Sequence, residues 1–88
     1  MVVKELEVLN ELGFHARVAC RITRAIGAFQ SAVHVRKDEN LFDLKNVTGV
    51  VMANAKCGDK VLVEIEGPDE QEAAEAIEKL FQEKFGER

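Results

Sequence analysis

The sequence predicts an α+β fold of order βαββαβα, with a four-stranded, mostly antiparallel sheet covered on one face by helices. Two observations carry this. Along the chain the apolar residues switch repeatedly between a period of two and a spacing of three and four, marking strands interspersed with helices. Near the middle, two period-two stretches are separated only by Lys37-Asp38-Glu39-Asn40, a turn that makes a hairpin. A chain of 88 residues with 47% hydrophobic content can build one core but not two, so a single domain over residues 1–88 is expected.

Each element follows from its own residues. Leu6 and Val8 alternate with Glu5 and Glu7, a half-buried strand near residues 2–9. Ala16, Val18, Ala19, Ile22, Ala25, Ile26 and Phe29 then fall on one face of a helix that loosens around Gly27. Val33 and Val35 alternate with His34 and Arg36, and Phe42 with Leu44 suits the returning strand. Asn46 is a good N-cap for a helix of about two turns carrying Val47, Val50 and Val51 and ending near Asn54. After a turn at Cys57-Gly58-Asp59, Val61, Val63 and Ile65 mark the last strand. Gly67-Pro68 ends it, and Asp69 with Glu72 reads as a capping-box variant opening a helix along Ala73, Ile77, Leu80, Phe81 and Phe85.

Charge and cysteine content narrow the function. The net charge of −4 comes from residues 69–88, which hold seven acidic and three basic side chains against nine of each before them. These acidic residues read as the solvated face of the last helix, and nucleic acid is not an expected partner. Cys20 and Cys57 are too few for a disulfide framework and fit a reduced, cytoplasmic chain. No apolar run approaches membrane-spanning length, so no membrane insertion is expected.

The chemistry concentrates at Gly13-Phe14-His15-Ala16-Arg17. His15 lies one residue before the periodic helix begins, where first-turn amides lack intrahelical partners and the helix end is positive. That is an anion site. A phosphoryl group on an imidazole nitrogen there would meet the amides of Ala16, Arg17 and Val18, and the Arg17 guanidinium could neutralise its oxygens. A lone histidine in this place can also serve only as a cap or a loop filler.

In this setting the motif resembles the HPr family, the histidine-containing phosphocarriers of the bacterial phosphotransferase system. Lys45-Asn46-Val47-Thr48-Gly49-Val50, Ala55-Lys56-Cys57-Gly58 and Gly67-Pro68-Asp69-Glu70 join the resemblance, which spans essentially the whole chain. It implies an open-faced β-sandwich and a carrier, not an enzyme, in which His15 accepts the phosphoryl group with Arg17 beside it. It further implies that enzyme I, charged by phosphoenolpyruvate, is the donor and a IIA domain the recipient, with no cofactor and no metal in the carrier. A monomer is expected.

Two departures stand out. Val18 occupies the place where the family usually has proline, which restores a backbone N–H. Asn46 stands where many carriers have a regulatory serine, keeping the cap and removing the hydroxyl. Arg17, Arg21 and Arg24 form a helical stripe, and Val47, Val51 and Met52 offer apolar side chains for docking. Arg21 and Arg24 read equally well as solvated charges, and Val51 as core. His34, Cys20 and Cys57 match no metal spacing, and Glu64 with Glu66 reads as a solvated strand face. The sugar branch is favoured over the nitrogen-regulatory branch by Lys45-Asn46-Val47-Thr48-Gly49-Val50, whereas GPDEQEAAEAIEKLF leans the other way. A regulatory module that binds partners without transferring phosphate is the remaining alternative.

Overall fold

The computed structural model describes residues 1–88. Strands β1 (Val2–Glu7), β2 (Ala32–Lys37), β3 (Asn40–Asp43) and β4 (Lys60–Glu66) alternate with helices α1 (Ala16–Ile26), α2 (Val47–Ala53) and α3 (Glu70–Gln82), followed by a short 3₁₀ turn at Lys84–Gly86. The strands form one sheet of order β1-β4-β2-β3 in which every neighbouring pair is antiparallel. Only β2 and β3 are consecutive in sequence. Their link is tight, with Asp38 and Glu39 both at positive φ, the geometry of a two-residue turn whose twist matches the strands it joins.

Alternation decides which residues face the helices. Val33 and Val35 of β2 lie opposite Ile65 and Val63 of β4, and all four are fully buried beneath the helices. Their neighbours point the other way, so the outer face carries His34 opposite Glu64 and Arg36 opposite Leu62. Arg36 Nε donates to Glu64 Oε2 at 2.7 Å there, which answers the sequence reading of Glu64 as a solvated strand charge. Val18, Ala19, Ile22 and Ile26 of α1 complete the core with Val50 and Ala53 of α2 and with Ala73, Ala74, Ile77 and Phe81 of α3.

Several boundaries differ from the sequence reading for identifiable reasons. β1 stops at Glu7, and Val8 turns inward, its amide donating to Asp59 O at 2.9 Å. Helix α1 ends at Ile26, and Phe29 packs from the following turn. The capping box at α3 does not form. Asp69 makes no side-chain cap; its carboxylate instead accepts from the amides of Gln30 and Ser31, each at 2.9 Å, and from the Ser31 hydroxyl. Glu70, not Glu72, reaches back, its Oε1 accepting from Gly67 N at 3.2 Å. Phe85 is buried as the spacing suggested, but α3 ends at Gln82, and Lys84 and Phe85 adopt left-handed conformations that fold the chain back toward α1. Cys20 and Cys57 are free and exposed.

Candidate functional site

The loop before α1 is shaped by its backbone. Gly13 has φ +66°, and a Cβ there would lie 2.3 Å from Ala55 O, so only glycine allows the loop to press against the segment after α2. The Phe14 amide then donates to Ala55 O at 2.8 Å, while its ring packs edge-on against Phe81 and Phe85 at centroid separations of 6.0 and 5.8 Å. Phe14 is thus an anchor. It leaves the next residue, His15, at the N-cap of α1 in an extended conformation with its side chain 28% exposed.

Both ring nitrogens of His15 have partners, and together they fix the tautomer. The Arg17 amide donates to Nδ1 at 3.3 Å, which requires a lone pair on Nδ1. Nε2 lies 2.7 Å from Glu87 Oε1, so Nε2 carries the proton and donates it to the carboxylate. The neighbouring first-turn amides of Ala16 and Val18 have no acceptor within the protein. The Arg17 amide is thus the N–H that meets the Nδ1 side of the ring, and the amides of Ala16 and Val18 are free at the same helix start. Val18 itself is fully buried, so its side chain serves the core while its amide faces the helix start.

Glu87 and Asn10 are the residues that sequence reasoning missed. Although it belongs to the acidic segment read as a solvated face, Glu87 is only 11% exposed. Its Oε1 also accepts from Asn10 Nδ2 at 3.2 Å, and its Oε2 lies 3.7 and 3.9 Å from the guanidinium groups of Arg17 and Arg21. The hydrogen bond from His15 holds the Glu87 carboxyl below the usual carboxylate range; partial burial opposes this, and Asn10 and Arg17 add to it. Asn10 is fully buried and also donates to Gly13 O at 2.8 Å, tying the loop to the C-terminal residues. Nothing local in the sequence marks the pairing of Asn10 with Glu87 or of Glu87 with His15, because both span most of the chain.

The outer residues separate into two groups. Arg17 is 70% exposed and open to an incoming group. Arg21 is engaged, its guanidinium donating to Phe85 O at 2.6 Å, and so holds the C-terminal turn against α1. Arg24 is exposed, as are Val47, Val51 and Met52; Val51 is not core. Asn46 caps α2, its Oδ1 accepting from the amides of Thr48 at 2.8 Å and Gly49 at 3.4 Å. His34 stands on the outer sheet face, away from this site.

A family model described as the PTS HPr component phosphorylation site matches residues 2–83. The chain belongs to the HPr family. It is a phosphocarrier of the phosphotransferase system, and the open-faced sheet with its helices on one side is the HPr fold. The HPr phosphocarrier protein of Treponema pallidum is 44% identical over 87 residues, 99% of each chain. A solved HPr structure from Thermoanaerobacter tengcongensis superposes with a TM-score of 0.94 at 33% identity, covering 100% of this chain and 99% of that one. The phosphocarrier protein NPr of Escherichia coli is 35% identical over 89 residues, again 99% of each chain. HPr and NPr relatives thus both resemble this chain over its full length.

Proposed function

We propose that His15 is the phosphoryl acceptor and that it is phosphorylated on Nδ1, taking the group from enzyme I charged by phosphoenolpyruvate and passing it to a IIA domain. The observation that supports this most directly is the partnering of the ring. Nε2 is engaged by a carboxylate, while Nδ1 presents its lone pair to the Arg17 amide at the positive end of α1. As phosphorus approaches, the Arg17 amide exchanges Nδ1 for a phosphoryl oxygen, and the exposed Arg17 guanidinium adds charge neutralisation. Transfer in and transfer out both need an accessible ring, which the partly exposed N-cap position provides. Arg24, Val47, Val51 and Met52 form the docking surface in this reading, and the protein works as a cytoplasmic monomer of one domain.

Incubation with enzyme I and phosphoenolpyruvate, followed by intact-mass measurement, tests the assignment. The adduct is expected to be acid-labile and alkali-stable, absent in His15→Ala and retained in His34→Ala. An adduct that persists in His15→Ala would sink it. The sugar branch remains the favoured reading on the Lys45-Asn46-Val47-Thr48-Gly49-Val50 segment. The likeness to NPr supports the nitrogen-regulatory branch as the second reading. Pairing the chain with enzyme I from each branch decides between them by which donor phosphorylates it faster at equal concentration.

A further inference from the structure

Glu87 reaches His15 across 72 positions of sequence, and several features hold it there. Phe85, two residues earlier, is buried 4.9 Å from the ring of Phe81 and 5.8 Å from that of Phe14, the residue before His15. One three-ring cluster therefore carries both halves of the His15–Glu87 pair. Lys84 and Phe85 are held in left-handed conformations, which non-glycine residues keep only where the surroundings over-determine them. Here Arg21 bonds Phe85 O, the Glu87 amide bonds Lys84 O at 2.9 Å, and the Glu11 amide bonds Arg88 O at 2.6 Å. Buried Asn10 supplies a further donor to Glu87.

We propose that Glu87 is a positioning residue for phosphotransfer: its carboxylate keeps the proton on Nε2 of His15, so that Nδ1 alone is nucleophilic, and then serves as counterion to the phosphorylated ring. This rests on His15 being the phosphoryl acceptor. In the transfer step the Nδ1 lone pair forms the N–P bond while the bond between phosphorus and the donor breaks, its electron pair leaving with the donor. No proton departs, so the ring becomes cationic, and Glu87 lies against its protonated edge. In onward transfer the N–P electron pair returns to Nδ1 and the ring is neutral again. Two fields thus meet at the imidazole, the positive helix start on the Nδ1 side and the carboxylate on the Nε2 side. Glu11, Arg17, Arg21 and Arg88 are the other charged groups lining the adjoining hollow.

Glu87→Gln and Glu87→Ala test the role. Glutamine keeps an oxygen able to accept from Nε2 but carries no charge; alanine removes both. Nitrogen-15 spectra of the His15 ring are expected to show a protected Nε2 proton in the wild-type protein, weaker protection in Glu87→Gln and none in Glu87→Ala. Transfer from enzyme I at saturating carrier is expected to slow on the order of tenfold or more in Glu87→Ala, with KM little changed and glutamine intermediate. Unfolding midpoints of the variants, read alongside, separate this from loss of fold. Unaltered ring spectra and rates in both variants would overturn the proposal, as would faster transfer in Glu87→Ala, which would make the carboxylate a competitor for Arg17. A wild-type chain that active enzyme I leaves unphosphorylated at His15 defeats instead the reading beneath it.

Discussion

At the scale of single residues, the site depends on groups that cannot be exchanged for near relatives. Gly13→Ala places a methyl into Ala55 O and forces a left-handed φ on an L residue, so a loss of about 2 kcal/mol or more in urea unfolding is expected, together with slower phosphorylation of His15. Arg17→Ala is expected to leave the unfolding midpoint unchanged and slow transfer by about tenfold or more, with lysine restoring only part, because an ammonium lacks the planar fork that matches phosphoryl oxygens. Equal rates in all three forms would make Arg17 a surface charge only. At Asn46 the side-chain oxygen already satisfies two amides of α2. Asn46→Ser is expected to change stability by only a few tenths of a kcal/mol while supplying the hydroxyl that an HPr kinase needs; peptide mass spectrometry after incubation with that kinase and ATP should find phosphate in the variant at residue 46 and none in the wild-type protein.

The elements themselves were legible because each is written in its own residues. Val33, Val35, Val61, Val63 and Ile65 alternate in sequence and are the buried residues of β2 and β4, and the apolar stripe of α1 is the face it buries. Unreadable were the bonds between elements. Local grammar places Asp69 at the start of its own helix, yet its carboxylate closes the turn between α1 and β2, a partner 38 residues away in sequence. The sequence makes Lys37 a turn residue, but its ammonium donates to Ala53 O at 3.1 Å and Asn54 O at 3.0 Å, capping the C-terminus of α2. The same limit divides the site: His15 and Arg17 share one helix start and could be paired by eye, whereas Glu87 looks like any other acidic residue of a solvated helix until the chain is folded. The hairpin offers a direct check of element-level strain. Glu39 has φ +68° without being glycine, so Glu39→Gly is expected to stabilise the protein by about 1 kcal/mol in urea unfolding; a loss would show that the turn draws more from the Glu39 side chain than from relief of backbone strain.

Over the whole molecule, the carboxylates that join distant parts share one sign of response to acid. Glu64 is held low chiefly by Arg36, Asp69 by the Ser31 hydroxyl, Glu70 by the Gly67 amide and Glu87 by His15. Each therefore binds protons more weakly in the folded than in the unfolded chain, so its stabilising contribution is full above the ordinary carboxylate values of 3.8 and 4.5 and is lost as pH falls through the folded values. The thermal midpoint is expected to vary little with these groups above about pH 6 and to drop steeply below about pH 4; a midpoint that holds steady down to pH 3 would show that they are no better satisfied folded than unfolded. The strand order has a kinetic corollary. With only β2 and β3 adjacent in sequence, most of the sheet closes through long loops, and the pairing of residues 15 and 87 closes nearly the longest of all. On the ribosome, a nascent chain would display its histidine long before the carboxylate that orients it had been synthesised. A chain interrupted before residue 87 would thus carry the histidine motif without the carboxylate that pairs with it in the folded protein.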